Sequence, residues 1–150
     1  TFDDKLQLGD VVQVVSERFA DLGVEEADGS FTDLFELGLL EPDQFPFSGG
    51  VLKNERAGEF KFLPSVRGLT VNKVHGSSES IARISGKYVA EIESMEGAAF
   101  FYACLQAKIN FIEIRSISNY VEPRNRDNWQ VELAVQRLNE VLISLLKNLP

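Results

Sequence analysis

From Val66 onward the sequence alternates short β-branched runs with longer stretches whose apolar residues recur every three or four positions, and this constrains the fold most. Val66-Arg67-Gly68-Leu69-Thr70-Val71-Asn72 reads as a strand. Ser78 to Ile84 reads as a short helix, capped by serine and stopped at Gly86. A strand follows at Tyr88–Ile92, then a helix from about Ser94 to Lys108, then the clearest strand, Asn110–Ser118. Asp127-Asn128-Trp129-Gln130 resembles the capped start of a last helix. Ala134, Leu138, Val141, Leu142, Leu145 and Leu149 recur on that helix as one stripe expected to be buried. Strands alternating with helices need crossover connections, so the expectation is an α/β layered fold around a largely parallel sheet.

The earlier part is less regular. Thr1 to Asp10 reads as a loop entering a strand at Val11–Val15, with no initiator methionine before it, as in a fragment. From Ser16 to Gly58 the apolar residues keep no sustained period, and the stretch reads as loop-rich. Glu41-Pro42-Asp43 makes a turn, followed by Phe45-Pro46-Phe47-Ser48-Gly49-Gly50. Such a stretch is either a surface loop packed on the core or a loop that covers a substrate.

Composition removes several classes of function. The formal charge is −8, from 15 Lys+Arg against 23 Asp+Glu, whereas nucleic-acid binding needs a positive surface to displace phosphate counterions. A single cysteine, Cys104, forms no internal disulfide; amid Tyr102, Ala103 and Leu105 it reads as a buried thiol. No apolar run is long enough for a membrane span and no signal-peptide pattern opens the chain, so the default expectation is a cytoplasmic protein. His75 and Cys104 lack partners at metal-ligand spacing. His75, in a Lys-Val-His-Gly turn, reads as solvated or hydrogen-bonded. There is no nucleophile elbow, no Walker-type loop and no Gly-x-Gly-x-x-Gly.

Two junctions remain. In Glu93-Ser94-Met95-Glu96-Gly97-Ala98-Ala99, Glu96 stands between a strand and a helix. It either complements the positive end of the helix or faces the ligand crevice at a strand's carboxyl end, where a carboxylate suits the vicinal hydroxyls of a sugar. In Arg115-Ser116-Ile117-Ser118-Asn119-Tyr120, Asn119 is the last polar side chain of a strand; it either starts a turn or enters the same crevice.

At these two places the chain resembles the nucleoside phosphorylase and nucleosidase superfamily, whose members carry a Met-Glu-Gly/Ala-Ala helix start and an Arg-x-Ile-Ser-Asp/Asn strand end. The finer resemblance is to the futalosine hydrolase family, through Phe45-Pro46-Phe47, Val66–Asn72, Glu93–Tyr102 and Ser118–Trp129. It implies a three-layer α/β fold with a central mixed, largely parallel sheet flanked by helices. It also implies that residues 1–150 form a single nucleosidase domain, the later two-thirds of the family fold. The earlier part would carry a glycine-rich ribose loop and the acid that activates water, so the chain is expected to be one segment of a longer protein.

The resemblance implies a role for each matching position. Glu96 would hold the ribose hydroxyls, with Met95 packed on the sugar, and Glu96 and Asn119 would be the catalytic pair. A fixed anion near the ribose favours the positive charge of an oxocarbenium-like state. Asn119 would read the base: its amide donates to O6 and its carbonyl accepts from a protonated N7, which selects hypoxanthine over adenine. Arg115 and Ser118 would orient that loop. Trp129, and more weakly Phe47, would wall the sugar and its 5′ substituent. The implied activity is hydrolysis of futalosine to release hypoxanthine, in menaquinone biosynthesis, by a homo-oligomer with no metal or organic cofactor. The implied partner is a small purine nucleoside, with no nucleic acid and no membrane. The rivals are a methylthioadenosine/adenosylhomocysteine nucleosidase, a purine nucleoside phosphorylase and a non-catalytic remnant.

Overall fold

The computed structural model describes residues 1–56 and 61–148. In chain order the first elements are strands β1 (Val11–Phe19), β2 (Gly23–Glu25), β3 (Phe31–Asp33), β4 (Phe47–Ser48), β5 (Val51–Lys53) and β6 (Ser65–Thr70). Helix α1 (Ser78–Lys87), strand β7 (Ile92–Ser94), helix α2 (Gly97–Gln106), strand β8 (Glu113–Ser116), a 3₁₀ turn at Arg126–Asn128 and helix α3 (Val131–Lys147) follow.

β1 is the spine of the sheet because both its edges are paired. One edge runs parallel to β6, which in turn runs parallel to β7. The other edge is divided between two antiparallel neighbours: β8 along Val11–Val14, and β5 at Ser16 and Glu17. The sheet is therefore mixed. Alternation along β6 assigns its two faces. Val66 packs with Ala98 and Phe101 of α2, while Leu69 and the following Val71 pack with Ile84 of α1. Helices lie on both faces, giving three layers.

One irregularity in β1 shapes everything above the α2 face. Val14 pairs with Val66 but Ser16 with Arg67, so Val15 is an extra residue, a β-bulge. The bulge shifts the alternation by one, and Glu17 turns inward beneath α2 on the side of Val12 and Val14. Glu17 is fully buried. Thr70 Oγ1 donates to its Oε2 at 2.8 Å and accepts from the backbone N–H of Ala98 at 2.6 Å. A Cβ on either Gly68 or Gly97 would fall 2.1 Å from Glu17 Oε1, so both positions have room only for glycine. Burial, reinforced by the nearby Glu113, pushes the Glu17 carboxyl up to about 8.

The structure moves several expected boundaries. β1 runs four residues past Val15, and the stretch read as loop-rich holds two hairpins. Their strands are two or three residues long, too short to show a period. The β4–β5 hairpin closes on Gly49 and Gly50, with φ of 60° and 72°, values that suit a tight two-residue turn. The helix start expected at Ser78 is set by Ser77, whose side chain accepts from the Ser80 backbone, and the helix passes through Gly86 to Lys87. The strand expected at Tyr88–Ile92 is instead Ile92–Ser94. Tyr88 ends α1, and its ring is buried with its hydroxyl on Asp33. α2 and β8 are each shorter than expected, and α3 starts at Val131 with no side-chain cap. Of the expected α3 stripe, Ala134 is buried, Leu138, Val141 and Leu145 are half-buried, and Leu142 is exposed. Leu149 of that stripe, and Ala57 and Gly58 of the loop-rich stretch, lie outside the described residues. Cys104 is buried, as expected.

Two outcomes follow from the Glu17 site. Gly97→Ala should cost about 1–3 kcal/mol in urea denaturation, an overpacking cost, and the cost should shrink in a Glu17→Ala background, where the carboxyl is gone. Folding raises the Glu17 pKa, so its contribution to stability is fully present below the ordinary carboxyl range and is lost as pH climbs toward about 8. Glu17→Gln, neutral throughout, should therefore melt with a smaller loss of Tm between about pH 5 and pH 8.5 than the unmodified chain.

Candidate active site

β7 and β8 each lead into one of the two junctions singled out in the sequence. Beyond β8, Ser118 and Asn119 enter a pocket of about 140 Å³ together with Arg115, Trp129, His75 and Glu93. The pocket is assembled from distant parts of the chain. Thr1 accepts a backbone hydrogen bond from Val121 at 2.7 Å, and its hydroxyl donates to the Glu91 carbonyl at 2.7 Å, tying the segment after Asn119 to the entry of β7. Arg124 N donates to the Gly76 carbonyl at 3.0 Å, fastening the charged loop to the turn that carries His75.

Asn119 is held by its neighbour: Ser118 Oγ donates to its Oδ1 at 2.7 Å, and its Nδ2 donates to the Tyr120 carbonyl at 3.1 Å. The Ser118 carbonyl in turn accepts from Gln130 N at 2.8 Å, which fixes the approach to α3. The Trp129 ring, half-buried, has the Arg124 and Arg126 guanidinium groups 5.5 and 5.7 Å from its centre.

Glu96 is the N-cap residue of α2, yet its side chain makes no capping bond. Ser94 Oγ accepts from Gly97 N at 3.3 Å and Thr70 Oγ1 accepts from Ala98 N, so other side chains satisfy the first turn. The Glu96 carboxylate is left 72% exposed, with Arg115 Nη2 at 3.6 Å. Arg115 thus lines the pocket while joining two acids: its Nε donates to buried Glu113 and its Nη2 faces Glu96. Met95, 49% exposed, flanks Glu96; neither is in the lining of the pocket itself. Phe47 is elsewhere, 9% exposed, packed edge-on against Phe35 in the core.

The residues that sequence reasoning left without a role here are His75 and Glu93. Glu93 accepts from the His75 backbone N–H at 3.1 Å and from its Nδ1 at 2.5 Å, so His75 is the hydrogen-bonded histidine of the two readings. Their separation of 18 residues hides the pair, since only the packing of the 72–76 turn on β7 brings them together. His75 also lines a second, larger crevice between the β2–β3 hairpin and α1, bordered by Asp21, Lys73 and Arg83. Among the described residues, no cluster of three or more His, Cys, Asp or Glu side chains is placed to hold a metal ion, and no helix is long and apolar enough to cross a membrane.

Comparison with known proteins places the chain in a family. Futalosine hydrolase of Thermus thermophilus is 33% identical over 141 residues, covering 93% of this chain and 62% of the relative. Futalosine hydrolase of Acidothermus cellulolyticus is 31% identical over 146 residues, covering 92% and 57%. The chain thus spans about three-fifths of the length of these relatives. Among solved structures, the native futalosine hydrolase of Helicobacter pylori superposes with a TM-score of 0.74 at 16% identity, covering 99% of this chain and 64% of that one. A 5′-methylthioadenosine/S-adenosylhomocysteine nucleosidase from Colwellia psychrerythraea, in complex with adenine, gives 0.63 at 22% identity, covering 91% and 60%. These two share the fold. The family model of the phosphorylase superfamily matches residues 2–147, and the chain belongs to that superfamily.

Proposed function

We propose that this chain is the sugar- and base-binding part of a nucleosidase domain that hydrolyses the N-glycosidic bond of futalosine and releases hypoxanthine. The observation that carries the reading is the convergence of Asn119, Ser118, Trp129 and Arg115 on one pocket, with the exposed Glu96 carboxylate joined to it through Arg115. The names of the curated relatives point the same way.

In this reading Glu96 receives the ribose 2′- and 3′-hydroxyls and Met95 covers the sugar. The anion also stabilises the positive charge that develops at C1′ as the bond to the base lengthens. Freed from capping α2, Glu96 keeps its oxygens for that task, and Arg115 aims them. Asn119 pairs with the 6-oxo edge of the purine. Ser118 occupies one acceptor site on Oδ1 and leaves the second for a protonated N7, while Nδ2 turns to O6. An adenine nucleoside would set an amino group against that amide donor, which separates this reading from methylthioadenosine cleavage. Trp129 offers a flat wall for the 5′ substituent. A homo-oligomer acting in the cytoplasm belongs to the same reading; exposed Phe100 on α2 and Ile143 and Leu146 on α3 are apolar surface in keeping with self-association.

Chromatography of the free base released from futalosine, methylthioadenosine and inosine tests the reading, the last with and without phosphate. Hypoxanthine should come from futalosine without phosphate. Glu96→Gln should lower that turnover about 10²–10³-fold with the fold intact, the usual cost of losing one transition-state contact. Turnover near that of the unmodified chain would remove Glu96 from the ribose. Asn119→Asp should move preference toward 6-amino purines; an unchanged ranking of substrates would remove the argument for hypoxanthine.

A further inference from the structure

We propose that His75, held by Glu93, is the acid that protonates the leaving purine, an assignment that rests on the nucleosidase reading above. When the C1′–N9 bond breaks, its electron pair stays with the base, and a 6-oxopurine departs far more readily if a proton reaches N7. Asn119 can recognise that proton but cannot supply it, because an amide is a hydrogen-bond donor without being an acid at useful pH. The proton must come from another group in the pocket.

The lining narrows the choice. Arginine, here Arg115 and Arg124, does not serve as a proton donor near neutrality, and a phenol such as Tyr120 is a far weaker acid than an imidazolium. Glu122 accepts a hydrogen bond from Asn128 Nδ2, and Glu93 is engaged twice by His75. Histidine is the side chain best suited to give and regain a proton near neutrality. Its setting is that of an oriented acid. Glu93 accepts from Nδ1 and from the backbone N–H of the same residue, which fixes the ring and leaves Nε2 as the exchangeable nitrogen. The carboxylate also balances the charge of the imidazolium. Both side chains are largely buried, 13% and 4% exposed, so the pair is shielded from solvent yet still borders the pocket.

The step balances. The C1′–N9 electron pair goes to the purine as the Nε2 proton passes to N7, directly or through one water, and the base leaves neutral. Water adds its oxygen to C1′ and releases its proton to solvent, from which the imidazole is reprotonated.

The test uses the full chain and two substrates, futalosine and its N7-methylated derivative, whose base is already cationic and needs no proton. His75→Gln should lower kcat on futalosine about 10²–10⁴-fold, the range for losing a general acid, and leave kcat on the N7-methylated substrate close to that of the unmodified chain. Glu93→Gln should show a smaller loss with the same selectivity. Equal losses on both substrates, or no loss on futalosine, would overturn the assignment and leave the nucleosidase reading standing. Absence of cleavage of either substrate by a protein that also carries the earlier part of the family fold would overturn both together.

Discussion

The close seating of α2 on the sheet is the constraint on which the rest of the structure depends. The helix starts directly above Glu17, and only because Gly68 and Gly97 lack side chains can the carboxyl sit between strand and helix. Thr70 then bridges the two, donating to Glu17 and accepting from the first turn of α2. A buried carboxyl is costly unless it is neutral or well bonded, and the raised pKa of Glu17 is how this one meets that cost. The β-bulge at Val15 is part of the same arrangement, since without it Glu17 would face α1.

The candidate site inherits its geometry from this packing. Because Thr70 and Ser94 satisfy the first N–H groups of α2, Glu96 does not cap its own helix, and its carboxylate points out toward Arg115. Arg115 reaches it from β8 while anchored on Glu113, which lies against the same Gly97 that makes room for Glu17. The exposed acid is thus positioned by a chain of buried contacts that begins at the bulge. A substitution deep in that chain would disturb the site without touching anything that binds there.

Much of this was legible in the sequence, and what was not has physical reasons. The strand and helix order from Val66 onward could be read because its elements bury one face and so carry a period. The short hairpins between Gly23 and Lys53 carry none; their local signs are the turn dipeptides Asp28-Gly29 and Gly49-Gly50. Glu17 was hidden because a bulge inverts the parity on which strand reading relies. The α3 stripe misled in another way: periodicity reveals a helix with an apolar face but not what lies against that face, and here Leu142 is exposed. At the site, Asn119, Ser118, Arg115 and Trp129 line one pocket, whereas Phe47 packs in the core. His75 and Glu93 carry no local motif, since their pairing depends on a turn folding back over β7.

On the proposed nucleosidase reading, the two ends of the candidate site are built on different principles, as cleavage of a glycosidic bond requires. The sugar end, at Glu96, is a carboxylate in contact with water and balanced by an arginine, suited to lowering the energy of a developing cation. The base end of that reading is recessed, and two of its polar side chains are held by protein partners: Asn119 by Ser118, His75 by Glu93. Such preorganisation would do little for a freely solvated charge. It matters for a neutral heterocycle, whose discrimination rests on leaving the wrong base with unpaired donors. On that reading, charge stabilisation at one end and hydrogen-bond matching at the other account for an acid after β7 and an amide after β8.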